Sequence, residues 1–156
     1  MRRFFIALAF ILLPSLAPAQ TILGMASVID GDTIDIHGER IRLHGIDAVE
    51  SAQPCWRADG TAWRCGKDAA FALADHLAGK SARCDVLDRD RYGRWVARCR
   101  VGDEDIGAWM VAEGWAMAYV KYSTDYVQQE ARARDQSRGI WAARFDPPWD
   151  WRRRSK

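Results

Sequence analysis

Cys84 and Cys99 stand symmetrically about Asp90-Arg91-Tyr92-Gly93, and this symmetry constrains the fold more than any other feature of the chain. If those four residues make a tight turn, Ser81 to Asp88 and Arg94 to Val101 pair as an antiparallel hairpin. Cys84 then faces Cys99 directly across it. Four cysteines allow three pairings. The hairpin register favours Cys84 with Cys99, which leaves Cys55 with Cys65 to close a short loop. A zinc site is the rival use of four cysteines, but no C-x-x-C spacing occurs.

Disulfides need an oxidising compartment, and the N-terminus supplies a route to one. Arg2 and Arg3 precede an apolar run from Phe4 to Leu13, and Ala17-Pro18-Ala19 gives an A-x-A pattern. That order predicts a secretory signal peptide over residues 1–19, cut after Ala19. The run is too short for a spanning helix, which needs about 20 apolar residues. The expected mature product is one domain over residues 20–156, with 142–156 as a C-terminal tail, secreted or periplasmic and monomeric. The chain has 23 basic and 21 acidic residues, so losing Arg2 and Arg3 leaves the two signs in balance. Any attraction for phosphate must therefore come from local clusters. Arg89, Arg91, Arg94, Arg98 and Arg100 form one such cluster. Arg152, Arg153, Arg154 and Lys156 form another, read here as a solvated tail.

Period-two alternation at Ile34, Ile36, Ile41 and Leu43 predicts strands between Thr21 and Ile46, with His37-Gly38-Glu39 as a turn. Ser51 to Cys65 reads as a polar loop. Gly66 to Leu77 reads as a helix with Ala70, Leu73, Ala74 and Leu77 on one face. Asp105 to Glu113 is a short helix ended by Gly114, and Trp115 to Tyr119 is extended. Thr124 to Arg138 is a second polar helix, ended by Gly139. This is a mixed, mainly β domain, compatible with an OB-type barrel.

Three segments carry chemistry. In Val28-Ile29-Asp30-Gly31-Asp32-Thr33, Asp30 and Asp32 share a side of the backbone if it is extended. Oxygen donors of this kind suit a hard cation, although an Asp-Gly turn is a common plain feature. In Arg42-Leu43-His44-Gly45-Ile46-Asp47-Ala48-Val49-Glu50, the odd spacing of Arg42 and Asp47 puts them on opposite faces of a regular strand. A bend at Gly45 is needed to bring them together; otherwise Arg42 is a strand-edge arginine with a surface carboxylate. In Asp88-Arg89-Asp90-Arg91-Tyr92-Gly93-Arg94, a guanidinium at the turn can grip phosphate with two parallel hydrogen bonds, or simply solvate a hairpin tip.

Together these segments resemble the thermonuclease (staphylococcal nuclease) family. Its V-x-D-G-D-T stretch is matched by Val28 to Thr33, its R-L-x-x-I/V-D-x-P-E stretch by Arg42 to Glu50 with one change, and its Y-G-R by Tyr92-Gly93-Arg94. Glu113-Gly114-Trp115 and Ala118-Tyr119 follow in the expected order. The resemblance implies a five-stranded OB-fold barrel with about three packed helices, of α+β, mainly β class. It implies a Ca²⁺-dependent endonuclease of low sequence specificity acting on DNA and RNA, favouring single strands, with Mg²⁺ or Mn²⁺ as other ions. One ion would sit on Asp32, Asp47 and the Thr33 carbonyl, with Asp30 behind them. Glu50 would activate water, Arg42 and Arg94 would hold the phosphate, and Tyr92 and Tyr119 would stack bases.

One departure bears on the site. Val49 stands where the family has proline, so the loop carrying Glu50 lacks a fixed φ. Trp95, Trp109, Trp115 and Trp141 are read as core or core-edge, Trp149 and Trp151 as pins for the tail, and His37, His44 and His76 as structural. The alternative function is an OB-fold protein of the cell envelope that holds nucleic acid without cutting it.

Overall fold

The structure, a computed structural model, describes residues 20–155. The signal-peptide reading of residues 1–19 and the last residue of the basic tail lie outside them. Strands β1 (Thr21–Met25), β2 (Ser27–Asp30), β3 (Thr33–Ile36), β4 (Glu39–Leu43) and β5 (Ile46–Ala48) come first. The short pair β6 (Cys55–Trp56) and β7 (Ala62–Trp63) follows, then helix α1 (Cys65–Leu77). The central hairpin is β8 (Ser81–Arg89) with β9 (Trp95–Val101), and β10 (Glu104–Asp105) pairs β9. Helix α2 (Ile106–Ala112), strand β11 (Ala116–Ala118), helix α3 (Val127–Asp135), a 3₁₀ turn (Gly139–Ala142) and helix α4 (Pro148–Arg154) complete the chain.

The main sheet runs β1-β8-β9-β4-β3-β2. Its two ends are consecutive segments separated only by Ala26, so the sheet curls back towards its own beginning. Taking β1 and β2 as one broken strand, with β3, β4, β8 and β9, gives the five strands of the expected OB-type barrel. The β4–β9 pairing is parallel and the other pairings antiparallel. Alternation sets which face is buried. Ile34, Ile36, Ile41 and Leu43 are all in the core, while Glu39 and Arg40 are outside. The β3–β4 turn has positive φ at His37 (57°) and Gly38 (85°), the two-residue geometry whose twist matches antiparallel strands.

The hairpin register places Cys84 opposite Cys99, and the two are bonded, as are Cys55 and Cys65. Beyond Val86 the register slips, leaving Leu87 as an unpaired bulge residue that alternation alone does not announce. The buried stripe of α1 runs through Ala69, Leu73 and Leu77, at i and i+4. Ala70 and Ala74 flank that stripe and are only half buried, one position off the expected face. The stripe packs on the barrel with Ile106, Met110 and Val111 of α2. Asp105 caps α2 by accepting from the Ala108 amide at 2.9 Å. The tail packs on the domain with Trp149 as one of its pins, as expected, but it also contains a helix the sequence did not announce. Residues 148–154 form a fourth helix, because Pro148 supplies a favourable first-turn φ and its own face finds a buried place.

The Cys84–Cys99 bond closes a loop with a sequence separation of 15, so replacing both cysteines by alanine is expected to cost about 3 kcal/mol. Chemical denaturation of the double variant checks this. An unchanged midpoint would mean that the sheet alone holds the hairpin.

Candidate functional site

Each segment singled out in the sequence reaches the same cleft by a local device. The turn after β2 lifts Asp32 inward, where it is 5% exposed. The Asp32 amide donates to Asp30 Oδ1 at 3.1 Å, which fixes the turn. After β4 the chain bends at Gly45 (φ 77°), and β5 leaves the main sheet to pair with β11. That bend is what the spacing required. Arg42 Nη1 lies 2.8 Å from Asp32 Oδ2 and Nη2 lies 2.9 Å from Asp47 Oδ1. A single guanidinium therefore bridges the two buried aspartates. Asp47 is fully buried, and Asp32 also accepts from the Ala48 amide at 3.2 Å.

Arg94 comes from the hairpin turn. Its Nε donates to Asp90 Oδ2 at 2.8 Å, and Nη1 donates to the Thr33 hydroxyl at 3.3 Å. That hydroxyl donates in turn to Asp32 Oδ1 at 3.0 Å. Thr33 thus joins Arg94 to the acidic cluster through its side chain. Asp90 also accepts from the amides of Tyr92 and Arg94, so the turn is built around it. Glu50 sits on the loop after β5 and is about one third exposed. Gln53 holds its backbone, donating its amide to the Glu50 carbonyl at 2.8 Å and accepting from the Glu50 amide at 3.3 Å. The start of α1 presses on the same loop. A Cβ at Gly66 would lie 2.1 Å from the Glu50 carbonyl oxygen, so only glycine fits. Cys65, bonded to Cys55, is adjacent.

Tyr92 is exposed on the cleft rim, with the Arg94 guanidinium 5.6 Å from its ring centre. Tyr119 also lines the cleft, stacked parallel on Trp149 at 5.4 Å. The cleft is lined by Asp32, Arg42, Glu50, Arg94 and both tyrosines. Asp47 lies just beneath its floor, under the two guanidiniums that cover it. The second of these belongs to Arg152, which the sequence reading left in solvent. Arg152 Nη2 is 2.6 Å from Asp47 Oδ2, and Nη1 is 2.6 Å from Glu50 Oε1 and 3.0 Å from Asp47 Oδ1. Among the described residues of that run, Arg153 and Arg154, at 78% and 60% exposure, behave as the basic tail was expected to. No periodicity could announce the contact with Arg152, because it depends on where α4 docks. Trp149 and Trp151 were the available signal, since a tail that carries two tryptophans is one that packs.

The charges respond to these neighbours. Burial, reinforced by Asp32, pushes the Asp30 carboxyl up to about 6. Burial also works against ionised Asp32, but Arg42, with donors from Ala48 and Thr33, holds it below the usual carboxylate range. Burial raises Asp47 despite the guanidiniums of Arg152 and Arg42. Burial opposes the charge of Arg152, yet its bonds to Asp47 and Glu50 outweigh that and keep it firmly protonated.

The donor set is all oxygen, as a hard divalent ion requires. A carboxylate offers about four lone-pair sites. Hydrogen bonds and ion pairs from protein groups take at least three at Asp32 and three at Asp47. Among the described residues no group of three His, Cys, Asp or Glu side chains surrounds one point. An ion here would complete its shell with backbone or water oxygens.

A curled β-barrel whose cleft gathers buried carboxylates bridged by guanidiniums, with aromatic rims, is a site for handling an anionic polymer. The model of the staphylococcal nuclease homologue family matches residues 40–143. The chain is 43% identical over 131 residues to the succinoglycan biosynthesis protein ExoI of Rhizobium meliloti (strain 1021), covering 80% of this chain and 67% of that one. It is 36% identical over 137 residues to a protein of Escherichia coli O157:H7 named an uncharacterized endonuclease, covering 81% and 82%. It is 32% identical over 120 residues to the staphylococcal-like nuclease CAN1 of Arabidopsis thaliana, covering 75% of this chain and 34% of that longer protein. The chain belongs to the staphylococcal nuclease family.

Asp90 holds Arg94 through the hairpin turn, and its carboxyl lies below the usual range. Burial opposes this, but the bonds from Arg94 and from the Tyr92 amide prevail. A depressed carboxyl stabilises the fold above its unfolded value of about 3.9 and loses that contribution as pH falls through its lower folded value. Asp90→Asn should therefore melt below the parent at neutral pH, with the gap closing on acidification. Melting curves from pH 7 down to pH 2 measure this, and a gap independent of pH would contradict it.

Proposed function

We propose that the mature chain is a secreted or periplasmic, Ca²⁺-dependent endonuclease that hydrolyses phosphodiester bonds of DNA and RNA with little sequence preference. Family membership makes nucleic acid the substrate class. The observation that carries the reading of the site is Arg42 bridging Asp32 and Asp47 in one cleft with Arg94 and Glu50.

In this reading Arg42 and Arg94 grip the non-bridging oxygens of the scissile phosphate and neutralise the charge that grows in the transition state. Glu50 takes a proton from the attacking water, a contribution of about 10²–10⁴-fold. The bond from phosphorus to the 5′ oxygen breaks as the bond to the water oxygen forms, and the leaving oxygen takes a proton from solvent. Arg94 stabilises charge rather than donating the proton, since a guanidinium loses one only above about pH 12. Tyr92 and Tyr119 offer faces for bases, worth about 1–3 kcal/mol each without reading sequence, which suits single strands. Asp32 and Asp47 would hold the cation, with the Thr33 carbonyl adding a ligand and Asp30 supporting them. When bound, the ion supplies positive charge beside the phosphate.

At the centre of the cleft the carboxylates outnumber the guanidiniums paired with them. Asp32, Asp47 and Glu50 carry three negative charges against two from Arg42 and Arg152, and Arg94 is matched by Asp90. Around that centre the cleft adds Arg40, Arg89, Arg91, Lys121 and Arg153, so a phosphodiester approaches through more basic than acidic side chains. The two disulfides suit an oxidising compartment. The name of the Rhizobium relative refers to succinoglycan biosynthesis. A protein that only binds strands would have no use for a carboxylate set beside a phosphate grip.

Glu50→Gln keeps the shape and removes the base. Denatured DNA incubated with calcium should be cut by the parent and spared with chelator. The variant should turn over at least about 100-fold more slowly while still retaining the strand in a filter-binding assay. Equal turnover removes Glu50 from the mechanism, and no cleavage by the parent favours the binding protein.

A further inference from the structure

Arg152 pairs with two carboxylates of the proposed mechanism, yet that mechanism gives it no task. It lies beyond the residues matched by the family model, on the last helix of the chain. Its fork spans two carboxylates at once, with both nitrogens on Asp47 and one also on Glu50. Among the described residues, the Glu50 side chain accepts no other hydrogen bond.

We propose that Arg152 is a positioning residue of the nuclease site, and that α4 is the strut that sets Asp47 and Glu50 in their working orientations. This rests on the nuclease reading above and adds a residue to it.

The strut is docked by contacts that do not involve Arg152. Pro148 is buried, and Trp149 stacks flat on Tyr119, itself held against Tyr122. The segment leading into α4 is tied to the Glu50 loop, because buried Gln53 donates its side-chain amide to the Asp146 carbonyl at 2.5 Å. One glutamine therefore joins the Glu50 backbone to the chain entering α4, while Arg152, a turn further on, holds the Glu50 carboxylate.

Glutamate has three rotatable side-chain bonds, and this one sits on a loop with valine where proline would fix the backbone. A planar guanidinium anchored to the fully buried Asp47 restricts those rotations. Arginine does this better than lysine, because its fork can meet two carboxylates at once while a single ammonium is only a point charge. The contact takes only one of the two Glu50 oxygens, so the other stays open to accept a proton. Misplacing a reacting group by about 1 Å can cost about 10²-fold, and losing a residue that orients a site ligand costs about 10–100-fold.

The test uses the full mature chain and its variants Arg152→Gln and Arg152→Lys, with denatured DNA as substrate at saturating calcium. Arg152→Gln is expected to lower kcat about 10–100-fold with KM within about threefold of the parent, the signature of a contact that acts on turnover rather than binding. Arg152→Lys should recover part of the loss. Independently of activity, hydrogen exchange at the Glu50 and Gln53 amides should quicken in Arg152→Gln. A higher KM at unchanged kcat would make Arg152 a phosphate contact and overturn the proposal. A higher kcat would make α4 a cover over the site and overturn it too. Parent-like kcat with parent-like exchange would leave Arg152 a surface ion pair. Should Arg152→Gln fail to fold, parent-like kcat in a folded Arg152→Lys overturns the proposal, and a partial loss supports it. A parent that cuts nothing sinks the nuclease reading and this role together, whereas a parent that cuts at the variant's rate sinks this role alone.

Discussion

The guanidinium of Arg42 is the contact on which the site depends. Two aspartates buried side by side repel each other, and burial alone drives both towards the protonated form. Arg42 sets one nitrogen on each, so Asp32 keeps its charge in the barrel floor and Asp47 can sit with no exposure. Everything that makes the bridge possible is a feature of the backbone. The turn after β2 brings Asp32 in, and the bend at Gly45 turns an odd strand spacing into a shared face. A side chain at Gly45 would meet both a disfavoured φ and the ring of Tyr126 at 3.0 Å.

Around this bridge the molecule spends rigidity on one loop. Glu50 is pressed by Gly66 from α1, bonded through Gln53 to the segment before α4, flanked by the Cys55–Cys65 bond and faced by Arg152. These elements come from distant parts of the sequence. They hold the loop that follows Val49, where the family resemblance would place a proline. Arg94 is fixed by a different route, through Asp90 at the head of a hairpin that is locked covalently at Cys84 and Cys99. Arg42 and Arg94 thus approach the cleft from independently braced supports.

Much of this was legible in the sequence because it is local. Period-two alternation marked Ile34, Ile36, Ile41 and Leu43 as core, and hairpin symmetry paired Cys84 with Cys99. The spacing of Arg42 and Asp47 named the bend it needed. What stayed hidden is tertiary. The bulge at Leu87 adds a residue without altering composition, and the core stripe of α1 lies one position from the expected face because docking on the barrel selects it. The fourth helix has only seven residues, too few for a periodic signal, and its stability comes from Trp149 on Tyr119 and Arg152 on Asp47. A short arginine-rich end reads as solvated charge until the acidic pocket it enters is known.

The central claim is that Asp32, Asp47 and Glu50 share one centre with Arg42 and Arg94, and that this centre holds a divalent ion against a phosphate. A crystal structure of the mature chain with calcium and a short single-stranded DNA carrying an uncleavable phosphodiester tests it most directly. The account predicts an ion on Asp32 and Asp47, with the phosphate between the ion and the two guanidiniums and Glu50 facing its phosphorus. An ion bound elsewhere, or a strand lying away from Arg42 and Arg94, would contradict it.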